Sequence, residues 1–129
     1  MAAFLQNLAQ SPFLNHVGFE IVQLDGEEAA LKLSVQTDHH NINHTLHGGV
    51  HAALLESIQS LIIQSAYKTK ASVMNLNVHY LSPVSQGEIY ATARMVQKGY
   101  KVATAEAKIV DENQQLIAIG TGVYKILRE

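Results

Sequence analysis

Cysteine and tryptophan are absent from the 129-residue sequence, and proline occurs only twice. Without cysteine, the chain has no disulfides, no thiolate zinc sites and no cysteine nucleophile. Two prolines in a chain with 47% hydrophobic residues also exclude collagen-like and disordered classes. This length is enough for one hydrophobic core and too short for two ordinary domains, so we expect a single domain over residues 1–129.

Charge and long apolar runs are scarce as well. The 9 Lys and Arg residues stand against 11 Asp and Glu, and no basic run forms a patch, so we expect no nucleic-acid partner. No apolar run reaches the roughly 20 residues that a membrane span needs. The N-terminus lacks the basic start of a signal peptide. These absences predict a cytoplasmic protein without a membrane partner.

The spacing of the apolar residues predicts two helices and six strands. Helical spacing runs over residues 3–10, where Ser11-Pro12 ends it, and over residues 50–68. The segments with strand character are residues 17–25, 29–37, 72–81, 88–97, 100–111 and 116–127, and a polar loop covers residues 37–46. Tight turns join the last four segments, and strands joined in this way are antiparallel. We therefore predict an α+β fold in which a six-stranded antiparallel sheet wraps around one long central helix, with a second subunit covering what the sheet leaves open.

Glu56 is the only charged residue in the stretch 48–67. A carboxylate in a buried helix is costly unless it is paired, hydrogen-bonded or protonated. One interpretation places Glu56 on a solvent-facing side of the helix. The other makes it a general base or nucleophile, because Gly49, Ala53 and Ser60 share its face and leave room for a substrate or water.

Gly48 and Gly49 open the central helix. Backbone N–H groups in a first helical turn lack internal partners, and the helix dipole adds partial positive charge there. Because glycine lets a substrate carbonyl approach these amides, the pair is a candidate oxyanion hole. A plain loop-to-helix glycine turn is the alternative.

Three histidines raise the question of a metal. His44, His47 and His51 are spaced three and four residues apart, and the last two could share a helix face, as in zinc-binding helices. No acidic ligand stands at a matching spacing, because Glu56 follows His51 by five residues. We therefore predict no metal site.

The stretch NINHTLHGGVHAALLES, residues 41–57, resembles the hotdog-fold acyl-CoA thioesterases of the phenylacetate-degradation (PaaI-like) group. The family pattern is an Asn, a His-Gly-Gly six residues later and an acidic residue nine after the His, and Asn41, His47 and Glu56 stand at these spacings. The segment NLNVHYLSPVSQGE, residues 75–88, resembles the family's next strand and its Pro-containing turn. The resemblance implies a hotdog fold that hydrolyses an acyl-CoA to a free acid and CoA, without a metal or redox cofactor.

The resemblance also implies roles for these residues. Gly48 and Gly49 cap the helix whose amides polarise the thioester carbonyl. Glu56 acts as general base on water, or as nucleophile through a mixed anhydride, while Asn41 and His47 position the thioester or the water. Family active sites lie at a dimer interface with the acid facing the partner, which implies a homodimer or a homotetramer built as a dimer of dimers. The PaaI-like group often has Asp in place of Glu56, whereas a related hydroxybenzoyl-CoA thioesterase group has Glu.

Three further candidates for substrate binding lie outside this motif. Some relatives have Ser or Thr at the start of the third strand, which makes Ser72 the candidate here. Lys98 and Lys101 lie in or beside a turn and are candidates for binding the CoA phosphates. Aryl and medium-chain acyl groups both remain open. So do two other functions, a non-catalytic acyl-CoA-binding hotdog module and a hotdog dehydratase or hydratase.

Overall fold

The computed structural model describes residues 10–25 and 27–128. It contains the six predicted strands: β1 (Glu20–Leu24), β2 (Ala29–Ser34), β3 (Ala71–Tyr80), β4 (Glu88–Lys98), β5 (Val102–Asp111) and β6 (Leu116–Ile126). The helices are α1 (Pro12–Val17) and α2 (Gly48–Tyr67), and a 3-10 turn covers Thr37–His39. The helix predicted over residues 3–10 lies, except for Gln10, outside the described residues. Neither α1 nor α2 is long and apolar enough to span a membrane, in the part of the chain described.

The apolar spacing does not predict helix α1, because Ser11-Pro12 indicates only the end of the preceding helical pattern. Pro12 is the first residue of α1, a position where its fixed φ suits the helix and no N–H is needed. Leu14 is buried and anchors the helix. Gly18 ends it with a left-handed φ of 98°, which glycine adopts without strain, and donates its N–H to the Leu14 carbonyl.

The sheet is antiparallel throughout, with the strand order β1-β2-β4-β5-β6-β3. The prediction of a tight turn from β3 into β4 is wrong, because β3 pairs with β6 at the sheet edge. Residues 81–87 instead run beside the loop before α2. There the Leu46 N–H donates to the Val84 carbonyl, and the Val35 N–H donates to the Gly87 carbonyl. Pro83 within this segment cannot donate to a hairpin ladder.

Helix α2 contacts all six strands, which confirms the predicted sheet wrapped around one long central helix. Its sheet-facing side is apolar, and Leu54, Ile58 and Ile62 have no exposed surface. Each such side chain contributes about 1.5–3 kcal/mol by burial. Small buried residues on the strands, among them Ala103 and Ala105, leave room for the helix to approach the sheet.

One side of this arrangement is open. On α2, Gly49 is exposed, and Ala53, Glu56 and Ser60 are half-buried. Among the described residues, strand β3 pairs on one edge only, and it exposes apolar side chains, including Met74. The open face of the chain is thus made by α2 together with an unpaired sheet edge.

Candidate active site

The N-terminus of α2 offers one free backbone amide. His47 caps the helix: its Nδ1 accepts a hydrogen bond of 2.7 Å from the Gly49 N–H, and its carbonyl accepts one of 2.9 Å from the Val50 N–H. The Gly48 N–H has no hydrogen-bond partner among the described residues. Of the two predicted amides, that of Gly48 is therefore open to a substrate carbonyl, and that of Gly49 is occupied by the cap.

Of the two glycines, only Gly49 is required on steric grounds. A Cβ at position 49 would come within 3.0 Å of the His47 Nδ1, so Gly49 makes room for the cap. A Cβ at position 48 would lie 3.4 Å from the Tyr80 ring, an ordinary contact. The Tyr80 hydroxyl donates to the Gly48 carbonyl at 2.9 Å and ties the end of β3 to this turn.

Asn41 builds the loop that leads into α2. Its Oδ1 accepts from the backbone N–H groups of Asn43 and Thr45, at 2.9 and 3.1 Å, and its Nδ2 donates to the Thr45 hydroxyl at 3.0 Å. These bonds form a local Asx arrangement that competes with regular structure and fixes a loop. Asn41 also lines the depression beside Gly48. Its expected contact with the substrate remains a prediction.

The depression at the N-terminus of α2, here the amide depression, has a volume of about 530 Å³ and includes Asn41, Gly48, His51 and Tyr80 in its walls. His51 is buried and packs edge-on against the Tyr80 ring, with 5.3 Å between ring centroids. Burial lowers the pKa of His51, which favours the neutral imidazole, and the nearby Leu46 carbonyl opposes this shift. Within residues 10–25 and 27–128, no three His, Asp or Glu side chains are grouped to hold a metal.

Glu56 lies in a second depression, here the Glu56 depression, of about 270 Å³. Residues of α2, of α1 and of its N-cap form the walls: Ser11, Phe13, Leu14, Glu56, Ser57, Ser60, Leu61 and Gln64. Within the described chain the carboxyl group makes no ion pair. Burial raises the pKa of Glu56 above its usual value. The carboxyl is therefore partly desolvated and uncompensated, as expected of a general base.

Two residues behind Glu56 were not singled out from the sequence. The Tyr124 hydroxyl, on β6, donates to the Glu56 backbone carbonyl at 3.0 Å. Burial, and then the charge of Glu56, raise the pKa of Tyr124. Gln59 is fully buried, fills the space that a Cβ at Gly122 would take, and has no partner for its amide within the described chain. The only signal for these two residues in the sequence is the spacing of Gly122 and Tyr124. They are two residues apart, so both lie on the same face of β6.

The remaining candidates lie at the other end of α2. Lys98 sits over the ring of Tyr67, the last residue of the helix, at 5.2 Å from the centroid. Lys101 lies in the adjoining turn between β4 and β5. Ser72 is exposed near the start of β3, about 26 Å along the strand from Tyr80. The described chain therefore does not bring these three residues together with Gly48 or Glu56.

This arrangement suits chemistry at a carbonyl group. A free amide at a helix N-terminus stabilises negative charge as it develops on an oxygen. A partly desolvated carboxyl beside small residues activates a water or attacks the carbon directly. The chain supplies both on one helix.

Comparisons with known proteins agree on one family. The model of the Thioesterase superfamily matches residues 43–118. Among curated proteins, acyl-coenzyme A thioesterase 13 of Mus musculus is 30% identical over 103 residues, which cover 78% of this chain and 74% of that protein.

Solved structures of similar shape include two PaaI proteins. A mutant of the phenylacetic acid degradation protein PaaI from Thermus thermophilus is 27% identical, with a TM-score of 0.85, covering 91% of this chain and 100% of that one. PaaI of E. coli, at 19% identity and a TM-score of 0.90 over 98% of this chain and 91% of that chain, shows the shared fold.

Proposed function

The chain belongs to the thioesterase superfamily, and from this membership we propose that it hydrolyses the thioester of an acyl-CoA to a free acid and CoA. One observation carries the proposal: the open face of α2 holds a free amide at Gly48 and an uncompensated carboxyl at Glu56. The reaction needs a hydrogen-bond donor for the carbonyl oxygen and a base for the water, and α2 carries one residue for each role.

The Gly48 N–H donates a hydrogen bond to the thioester carbonyl oxygen and stabilises the negative charge that grows on it. Ionised Glu56 takes a proton from the water that attacks the carbonyl carbon. The carbon–sulfur bond breaks, the thiolate of CoA leaves, and the proton goes to the sulfur. In the alternative route the Glu56 carboxylate attacks the carbonyl carbon, the carbon–sulfur bond breaks and the CoA thiolate leaves. Water then cleaves the mixed anhydride to the free acid and restores the Glu56 carboxylate.

The acid and the amide of one site come from two subunits. Within one chain Gly48 and Glu56 open into different depressions and are eight residues, or about 12 Å of helix, apart. Reacting groups must approach to about 3–3.5 Å. A two-fold dimer with antiparallel α2 helices brings Glu56 of each chain to Gly48 of the other, and so forms two equivalent sites.

The same dimer covers the open face of the chain. Strand β3 is ten residues long, has one edge without a partner strand in the described part of the chain, and exposes Val73 and Met74. An exposed edge of this length is a template for pairing with another strand. We propose that β3 pairs with its copy beside α2. Assembly of two dimers into a homotetramer remains a prediction.

Support for the other predicted residues is uneven. His47 shapes the site through its cap on Gly49, and Asn41 shapes the loop before it. Ser72 and the two lysines, Lys98 and Lys101, lie away from both depressions, so substrate binding by them stays a prediction without structural support.

Free-thiol release from benzoyl-, phenylacetyl- and decanoyl-CoA tests the proposal. We expect the wild-type protein to cleave at least one ester, and Glu56→Gln to lower kcat about 10²–10⁴-fold, because the amide keeps the shape of the side chain and cannot act as a base. Thiol release also separates hydrolysis from dehydratase or hydratase chemistry, which leaves the thioester intact. Tight binding of all esters without cleavage would support the non-catalytic module.

A further inference from the structure

The Glu56 depression has two unlike walls. Helix α2 contributes mainly polar side chains together with the apolar Leu61, and its Gln64 Nε2 donates to the Ser60 hydroxyl at 2.7 Å. Helix α1 contributes apolar ones, of which Phe13 is the largest. Phe13 keeps 52% of its surface exposed, although a phenyl ring gains free energy by burial. An exposed ring at the rim of a depression that holds a candidate base is a natural contact for an apolar ligand.

The backbone of α1 fixes the position of this ring. Pro12 restrains its first turn, buried Leu14 attaches it to the core, and the left-handed Gly18 ends it. Phe13 therefore stands on a short element that is held at its beginning, middle and end. A side chain presented in this way discriminates between ligands better than one on a free loop.

The proposed function decides which part of the substrate reaches this depression. The carbonyl carbon must approach Glu56 to about 3–3.5 Å, so the group attached to it begins here. From Glu56 to Gln64 the depression follows α2 for about 12 Å. Its described lining includes the apolar side chains of Phe13, Leu14 and Leu61. The pantetheine arm of CoA carries two amide groups that need hydrogen-bond partners, so this apolar surface suits the acyl group better than the CoA arm.

We infer that Phe13 is a specificity-determining residue, which packs against the acyl group and favours aryl or short acyl esters over long chains. The inference rests on the proposed function. The volume of about 270 Å³ lies just below the range of roughly 300–1,000 Å³ for ligand pockets, so it suits a compact group. An aromatic acyl group gains further from edge or offset contact with the Phe13 ring.

The test is the ratio of kcat/KM for benzoyl-CoA to that for decanoyl-CoA. We expect Phe13→Ala to lower this ratio about 10-fold or more, because the change removes the aromatic contact and makes room for a longer chain. Phe13→Leu should lie between the two proteins. Val22→Ala is the matched control, since Val22 is an apolar residue of similar exposure, 56%, on β1 outside the depression.

A uniform loss on all esters in Phe13→Ala, with the ratio unchanged, would overturn the inference and make Phe13 a structural or subunit contact. A binding measurement keeps the inference testable if the wild-type protein cleaves nothing. S-benzyl-CoA and S-methyl-CoA are thioethers that cannot be hydrolysed, and we expect Phe13→Ala to weaken binding of the first about 10-fold with little effect on the second. Equal effects on both would refute the role of Phe13, whereas absent turnover alone would refute only the proposed hydrolysis.

Discussion

The two sides of helix α2 differ in side-chain size, burial and charge. Toward the sheet, large side chains such as Leu54 and Ile58 are fully buried and held by packing. On the open side, Gly49 and Ala53 are small, and Glu56 holds a carboxyl without a compensating charge in the described chain. The sheet-facing side stabilises the fold, whereas the open side places a reactive carboxyl in a cleft at a cost in stability. Substitutions on the two sides should therefore separate activity from stability.

A large separation of activity from stability is expected at the free amide of Gly48. Gly48→Pro removes this N–H at the first helical position, where proline is tolerated, and His47 before it already has an extended backbone. We expect kcat to fall about 10²–10³-fold, as for loss of one oxyanion-hole donor. Gly48→Ala retains the N–H and adds a methyl group at ordinary distance from Tyr80, so it should stay within about 10-fold of the wild-type kcat. Equal losses in both variants would contradict the role of the amide.

A substitution on the sheet-facing side of α2 should lower stability and leave turnover unchanged. Ile58→Ala leaves a cavity where the side chain is fully buried, and we expect a loss of about 2–5 kcal/mol in the free energy of unfolding. Turnover per folded molecule should be unchanged below the lowered melting temperature. Denaturant unfolding and active-site-normalised kinetics measure the two quantities. A fall in turnover comparable to that of Gly48→Pro would mean that the two sides are not independent.

The pH dependence of hydrolysis should report the carboxyl group on the open side. Only ionised Glu56 acts as a base, and burial raises its pKa, so kcat/KM should rise with pH through a midpoint above the ordinary 4.5. The slope below the midpoint should approach one decade per pH unit. Under either route Glu56→Gln should abolish this limb, and a midpoint below 4.5 would contradict the desolvated site.

The smallest predicted effect is a change in melting temperature on substitution of Glu56. Because the folded state raises the pKa of Glu56, ionisation costs the folded chain more than the unfolded one. This cost is absent below the unfolded pKa and fully present above the folded pKa. Glu56→Gln should therefore raise the melting temperature by about 2–4 °C at pH 7 and leave it unchanged near pH 4. A lower melting temperature at pH 7 would mean that the carboxylate is stabilised by its surroundings.

Local patterns were sufficient for the six strands, for α2 and for part of the site, but not for α1. The helical spacing of α2, the lone charge at Glu56 and the glycines before them are all neighbours in the chain, so the sequence places them correctly. The predicted neighbour of β3, strand β4, is wrong. Strand β3 pairs with β6, and this pairing depends on a contact between segments that are far apart in the sequence. The cytoplasmic location stays a prediction.

The finer geometry of the site depends on side-chain conformations that no spacing reveals. The assignment between Gly48 and Gly49 follows from the orientation of the His47 ring, which occupies one amide. Tyr124 reaches the helix from β6, far along the chain. Phe13 belongs to a helix whose start signal was interpreted as a stop. The role of each of these residues depends on contacts between separate elements, which local sequence patterns do not predict.

The central claim is that each site combines Gly48 of one subunit with Glu56 of the other, and coexpression of two inactive variants tests it most directly. A mixed dimer of Gly48→Pro and Glu56→Gln contains one intact site and one doubly altered site. With random pairing half of the dimers are mixed, so thiol release should recover to about a quarter of the wild-type rate per chain. Activity no higher than that of the separate variants, in a preparation shown to contain mixed dimers, would contradict the account.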